Sequence, residues 1–208
     1  MKLAIPPGDF AAYLFDCDGT IADSMPLHYV AWKQTLSENN CDFPERLFYD
    51  WGGIPTDKIV ALLNEKHGLA MPVEHVVTTK ENRFYELLPT LKVIPEVLEH
   101  IDAKHGHIPF AVVSGGTRES VSKTLTILGL LDRFDILVCS DDYTRGKPDP
   151  EAYLMAAERL GVPPDKCLVF EDTDLGIQAA RAAGMQWVKI PAPWERNVNS
   201  TAAAPLKT

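Results

Sequence analysis

Five short apolar runs decide what this chain can fold into: Ala11–Phe15, Pro109–Val113, Ile136–Cys139, Leu168–Phe170 and Trp187–Ile190. Each is continuous rather than alternating, the pattern of a strand covered on both faces, and such strands belong to parallel sheets. Amphipathic segments accompany the last four. Pro95–His105 carries proline in its first turn and stops at Gly106. Thr117–Leu128 sets Val121, Leu125 and Leu128 on one face and ends at Gly129. Pro150–Leu160 follows Asp149, a natural N-cap, and ends at Gly161, while Leu175–Ala183 ends at Gly184. Strand alternating with helix predicts a doubly wound α/β core.

Residues 24–91 break this rhythm. Pro26–Asn39, Thr56–His67 and Val73–Leu88 place apolar residues at helical spacing, and no strand pattern interrupts them. The stretch is too long for an ordinary crossover, so an inserted all-helical unit is expected there, with residues 1–23 and 92–208 forming the core. The chain would enter the insert near Ala22–Ser24 and leave it near Thr90–Val93. The tail from Pro191 is rich in proline and alanine and is expected to be disordered at its end.

Composition narrows the partners. With 46% hydrophobic residues the chain can bury a sizeable core. A net charge of −9 argues against nucleic acid and anionic membranes, both of which demand a basic surface. No run approaches the roughly 20 apolar residues of a membrane helix. The cysteines, Cys17, Cys41, Cys139 and Cys167, have no CxxC spacing and read as reduced thiols. A soluble cytoplasmic protein is the expectation; the sequence leaves its oligomeric state open.

In open α/β sheets ligands bind beyond the carboxyl ends of the strands. Four of the five runs lead there into polar residues: Asp16-Cys17-Asp18-Gly19-Thr20, Ser114-Gly115-Gly116, Lys147-Pro148-Asp149 and Glu171-Asp172. Carboxylates gathered at one edge repel and raise one another's pKa. A divalent cation removes that objection, and Asp16, Asp18, Glu171 and Asp172 form an oxygen-rich set suited to Mg²⁺. Ser114 and the amides of Gly115 and Gly116, ahead of a helix N-terminus, make an anion site, and Lys147 adds a point charge. Such an assembly suits phosphoryl transfer, where spreading negative charge must be placed and neutralised and a carboxylate can act as nucleophile.

These motifs resemble those of the haloacid dehalogenase superfamily of phosphatases. Asp16–Thr20 matches the DxDGT signature. Val113-Ser114-Gly115, Gly146-Lys147-Pro148 and the run Glu171–Ile177 (EDTDLGI) match the second, third and fourth motifs. The resemblance, over roughly residues 11–190, implies a Rossmann-like core, with the helical insert as the family's cap. Within that insert, the segment ADSMPLHYVAW ending at Trp32, and Gly53-Ile54-Pro55-Thr56, resemble the beta-phosphoglucomutase branch with its fructose-1-phosphate-type sugar phosphatases. The resemblance implies Asp16 as nucleophile and metal ligand, and Asp18 as general acid and base that lends its backbone carbonyl to the metal. It implies Ser114, Lys147 and the Cys17 backbone at the phosphoryl group, and Glu171 and Asp172 holding Mg²⁺.

In the cap, His28, Gly53 and Thr56 are candidates for substrate contact. Lys80 and Arg83 read as solvated helix-face residues, and Asp174 reads as the cap of the last helix. The leading expectation is hydrolysis of a small phosphorylated metabolite, a sugar phosphate. Phosphoryl transfer within a sugar is the alternative, and a non-catalytic phospho-ligand sensor is a third reading from a different class. Dehalogenation, which needs no metal, fits Asp18 and Glu171-Asp172 poorly. The mutases of that branch carry arginine at the position of Thr56, where a second phosphate would be clamped.

Overall fold

The computed structural model describes residues 3–196, so the end of the proline- and alanine-rich tail lies outside the described residues. In chain order the elements are β1 (Ala12–Phe15), α1 (Met25–Ser37), α2 (Glu45–Asp50), α3 (Thr56–His67), α4 (Val73–Leu87) and α5 (Pro95–Lys104). They continue with β2 (Phe110–Val113), α6 (Arg118–Ile127), β3 (Ile136–Val138), α7 (Glu151–Leu160), β4 (Cys167–Glu171), α8 (Asp174–Ala182) and β5 (Gln186–Lys189). The five strands form one parallel sheet in the order β3-β2-β1-β4-β5. Each expected run holds a strand, and no end differs by more than one residue. All five carboxyl ends therefore meet at one edge.

Side chains alternate along each strand and sort the core into two layers. Tyr13, Phe15, Phe110 and Phe170 pack under Val97 and Ile101 of α5 and Val121 and Leu125 of α6. Their rings are in contact, with Phe15 stacked on Phe170 at 4.6 Å. The opposite layer sets Ala12, Leu14, Ala111, Val113 and Val169 against Ala152, Ala156 and Ala157 of α7 and Ala179 and Ala180 of α8. Small residues bring these two helices close to the sheet. Tyr153, fully buried on α7, is the large side chain that enters this layer from the helix. The arrangement is the doubly wound α/β fold that the strand runs predict.

The chain divides into two compact units, one running to Ala22 and resuming at Val93, the other spanning Asp23–Lys92. The second holds α1–α4 around its own core of Trp32, Leu36, Phe43, Phe48, Val60, Leu63, Met71 and Val76. The short helix α2 was not expected from the sequence. The strand-like link between the units is closed by paired backbone bonds. The Ile94 amide donates to the Ile21 carbonyl at 2.9 Å, the Asp23 amide to the Lys92 carbonyl at 2.8 Å, and Ala22 pairs with Val93 in an antiparallel bridge.

Two helix starts differ from expectation. α7 begins after Pro150, and the Asp149 carboxylate accepts the Glu151 amide at 3.0 Å. α8 is capped by Thr173, whose hydroxyl accepts the Gly176 amide, while Asp174 is exposed and pairs with Lys189 at 2.6 Å. Threonine preceding the aspartate has the extended backbone an N-cap needs, so it takes the role. Among the described residues, no helix is long and apolar enough to cross a membrane.

Candidate active site

The carboxyl edge of the sheet gathers the four motif segments. Asp16 follows β1, and its amide still bonds the Phe170 carbonyl of β4 at 3.0 Å. Glu171 closes β4, Asp172 follows it, and Ser114 follows β2 with its amide on the Val138 carbonyl at 2.9 Å. Carboxylate oxygens of Asp16, Glu171 and Asp172 lie within 4.8 Å of one another. The Asp18 side chain is outside that trio, yet near enough for its charge to raise the Asp16 pKa. Lys147 sits among them, its Nζ donating to Asp16 Oδ1 at 2.7 Å, to Glu171 Oε2 at 2.7 Å and to the Val113 carbonyl at 3.2 Å. The Lys147–Pro148 peptide is cis.

Charge bookkeeping shows what this cluster lacks. With all three carboxylates ionised, one ammonium would leave two negative charges in a site shielded from water. The Asp16 carboxyl is pushed up to about 8: burial raises it most, Lys147 pulls it down, and Glu171 and Asp18 add to the rise. Burial, with Glu171 and Asp16, raises Asp172 well above the ordinary value. Burial opposes the Lys147 charge too, but Asp16 and Glu171 outweigh it and hold its pKa well above the ordinary value. Glu171 goes the other way: burial is outweighed by Lys147, Thr173 and Tyr153, which keep it ionised. Two uncompensated charges on oxygen ligands match a divalent cation of the Mg²⁺ class, so the residues fit the metal that the motifs imply.

The phosphate-binding candidates are partly committed within the protein. Ser114 is buried, its hydroxyl accepts the Gly116 amide at 3.1 Å, and its carbonyl accepts the Tyr143 hydroxyl at 3.0 Å. Gly116 is thereby used to shape the loop, whereas Gly115 is exposed with open space beside its α-carbon. The Cys17 carbonyl accepts the amides of Ile21 and Ala22, which curls the first motif back on itself.

Several site residues escaped the sequence reading. The Thr20 hydroxyl, fully buried, donates to Asp172 Oδ1 at 3.4 Å. Thr173 gives both its hydroxyl, at 2.6 Å, and its amide, at 3.0 Å, to Glu171 Oε1. The Tyr153 hydroxyl donates to Glu171 Oε2 at 2.6 Å. Thr20 and Thr173 lie inside the motifs and could have been found there. Tyr153 carries no local signal, because only the fold brings α7 to the end of β4.

The cap holds a polar cluster of its own. Lys80, expected to be solvated, is 3% exposed. Its Nζ lies 2.9 Å from His28 Nδ1 and 2.8 Å from Glu81 Oε1, over the rings of Trp32 and Phe84. The signal was present: Val76, Lys80 and Phe84 share one stripe of α4. His28 stacks on Phe84 at 3.8 Å. The Thr56 hydroxyl donates to Glu81 Oε1 at 3.4 Å, Arg83 pairs with Glu38, and Gly53 turns the loop ahead of α3 with φ 85°.

Comparison with known proteins agrees with this geometry. The family model for haloacid dehalogenase-like hydrolases matches residues 10–184. The fructose-1-phosphate phosphatase YqaB of Escherichia coli K12 is 35% identical over 188 residues, covering 87% of this chain and 96% of that protein. The phosphorylated carbohydrates phosphatase of Thermotoga maritima is 33% identical, covering 84% of this chain and 82% of its own length. Among solved structures, a β-phosphoglucomutase from Clostridium difficile superposes with a TM-score of 0.76 at 25% identity, covering 86% of this chain and 83% of that one. Motif order, sheet topology and a match spanning most of the chain lead to one assignment: the chain belongs to the haloacid dehalogenase-like hydrolases.

Proposed function

We propose that this protein is a Mg²⁺-dependent phosphatase that hydrolyses a small phosphorylated sugar or polyol through an aspartyl-phosphate on Asp16. The observation that carries the reading is the Asp16, Glu171 and Asp172 trio gripped by Lys147 at the carboxyl edge of the sheet. In this reading an Asp16 oxygen attacks phosphorus and the bond to the ester oxygen breaks. Asp18 gives the leaving oxygen its proton, then takes a proton from the water that attacks the aspartyl-phosphate, which frees phosphate and restores the Asp16 carboxylate. Lys147 and Ser114 neutralise and orient the phosphoryl oxygens. Asp16 and Asp172, with the Asp18 carbonyl, would hold Mg²⁺, and Glu171, whose oxygens are taken by protein donors, would add its charge beside the ion; the metal would supply charge that keeps the carboxylates ionised and would draw electron density from the phosphoryl group. His28, Gly53 and Thr56 of the cap are proposed substrate contacts.

Likeness to β-phosphoglucomutases makes intramolecular transfer the second reading. A mutase must hold a bisphosphate in both orientations and so needs a second cationic clamp. Thr56 cannot supply one, and its hydroxyl already serves Glu81. Lys80 is paired with Glu81 and Arg83 with Glu38. Each cation that could replace the missing arginine thus faces its own carboxylate, which favours a partner bearing neutral hydroxyls and leaves water as the acceptor. A panel of phosphorylated metabolites, run with Mg²⁺ and with excess chelator, should release phosphate only with the metal. β-Glucose 1-phosphate with a trace of the 1,6-bisphosphate separates the two readings. Glucose 6-phosphate accumulating much faster than free phosphate would turn the assignment to a mutase.

A further inference from the structure

Glu171 is held more tightly than a metal ligand needs to be. It is fully buried, and each of its oxygens accepts two donors: Oε1 from the Thr173 amide and hydroxyl, Oε2 from Lys147 and Tyr153. An ionised carboxylate has about four acceptor sites, so its capacity is filled by protein groups. Gly176 completes the enclosure. A β-carbon there would lie 2.0 Å from the Glu171 carboxyl carbon, and a carboxylate tied at four points cannot step aside.

We propose that Tyr153 is a positioning residue for Lys147, acting through Glu171. Its hydroxyl takes the second acceptor site of Oε2 and fixes the direction in which that oxygen presents its charge. Lys147 is then stretched between Glu171 and Asp16 at equal distances of 2.7 Å, with its ammonium 5.2 Å from the centre of the Tyr153 ring. Without the hydroxyl, Glu171 can rotate, and the ammonium follows it away from the line on which it meets both nucleophile and phosphoryl oxygens. The ground state tolerates that drift better than the transition state, where charge on those oxygens is spread and donor placement matters most.

The inference rests on the phosphoryl-transfer reading of Asp16 and Lys147. Tyr153→Phe keeps the ring and removes one oxygen. With the substrate found in the screen, kcat and kcat/KM should fall together by about 10- to 100-fold, the scale seen when a group supporting a catalytic ligand is lost, with KM and thermal stability little changed. In a Lys147→Met background, assayed on a reactive aryl phosphate, the same change should cost nothing further. Unchanged kcat in Tyr153→Phe, or an equal loss on top of Lys147→Met, would overturn the proposal. If the phenylalanine variant does not fold, the wild-type protein still decides. Proton NMR should show a slowly exchanging, far-downfield hydroxyl signal coupled by nuclear Overhauser effects to the Tyr153 ring, and its absence would be equally fatal. A wild-type protein inactive on every phosphate ester would remove the phosphatase reading instead, while that signal would still report the Tyr153–Glu171 bond.

Discussion

Asp16 bears two demands that pull against each other. As a buried carboxyl beside Glu171 and Asp18 it is driven toward the protonated form, yet as the proposed nucleophile it must be ionised. Lys147 supplies part of the difference, and in the proposed mechanism a divalent cation would supply the rest. Asp16→Asn keeps the shape, removes the charge and cannot form an acyl phosphate. Turnover should fall by on the order of 10⁴-fold or more, as when other nucleophiles are removed. The melting temperature in chelator should not drop, because one of the crowded charges is gone; a fall in stability alongside the lost rate would point to a folding defect. At this scale the placement was largely legible, since Asp16, Ser114, Lys147, Glu171 and Asp172 occupy positions a strand-end rule already selects. What the sequence hid was support. Tyr153 and Lys80 act through partners 18 and 52 residues away, and no linear pattern encodes such pairings.

The elements were readable where burial forces a run of apolar residues and unreadable where it does not. Each of the five strands announced itself. α2 did not, because its six residues are too few to show a period and Pro44 precedes it in place of a capping side chain. Between elements, Asp142 does work that its position in a loop conceals. It accepts the Cys139 amide at the end of β3, Arg118 at the start of α6 and Arg159 near the end of α7. Burial opposes its ionisation, but the Cys139 amide and the two arginines outweigh it and hold its pKa below the ordinary value. A depressed carboxyl contributes stability above its unfolded pKa and loses it as pH falls through the folded one. Asp142→Asn should therefore cost about 1–2 kcal/mol at neutral pH, or roughly 2–8 °C in melting temperature. Below about pH 4, where the unfolded carboxyl takes up a proton, the deficit should begin to shrink, and it should vanish once the pH has passed the lower folded value. A deficit unchanged across that range in thermal melts would show that charge is not the source.

At the scale of the whole molecule, 68 residues of helical pattern are too many for a crossover and point to an insertion. Its edges, Asp23 and Lys92, fall one residue outside the expected limits. The two crossings are bonded side by side through Ala22 and Val93, Ile21 and Ile94, within the core unit. Replacing Asp23–Lys92 by a short glycine-containing turn should thus yield a folded protein. It should retain Mg²⁺-dependent hydrolysis of a small aryl phosphate while losing preference among sugar phosphates. Far-ultraviolet dichroism, thermal melting and a substrate panel test this; a protein that does not fold would show that the core depends on its insert.

Neighbouring crossings have a consequence for descent as well as for folding. An open reading frame that gains or exchanges sequence at that one seam changes the helical unit without altering a single strand, register pair or motif residue. The catalytic half can then be inherited nearly unchanged while the other half drifts, so enzymes that share this chemistry can diverge in what they select at a rate set by the seam rather than by the sheet.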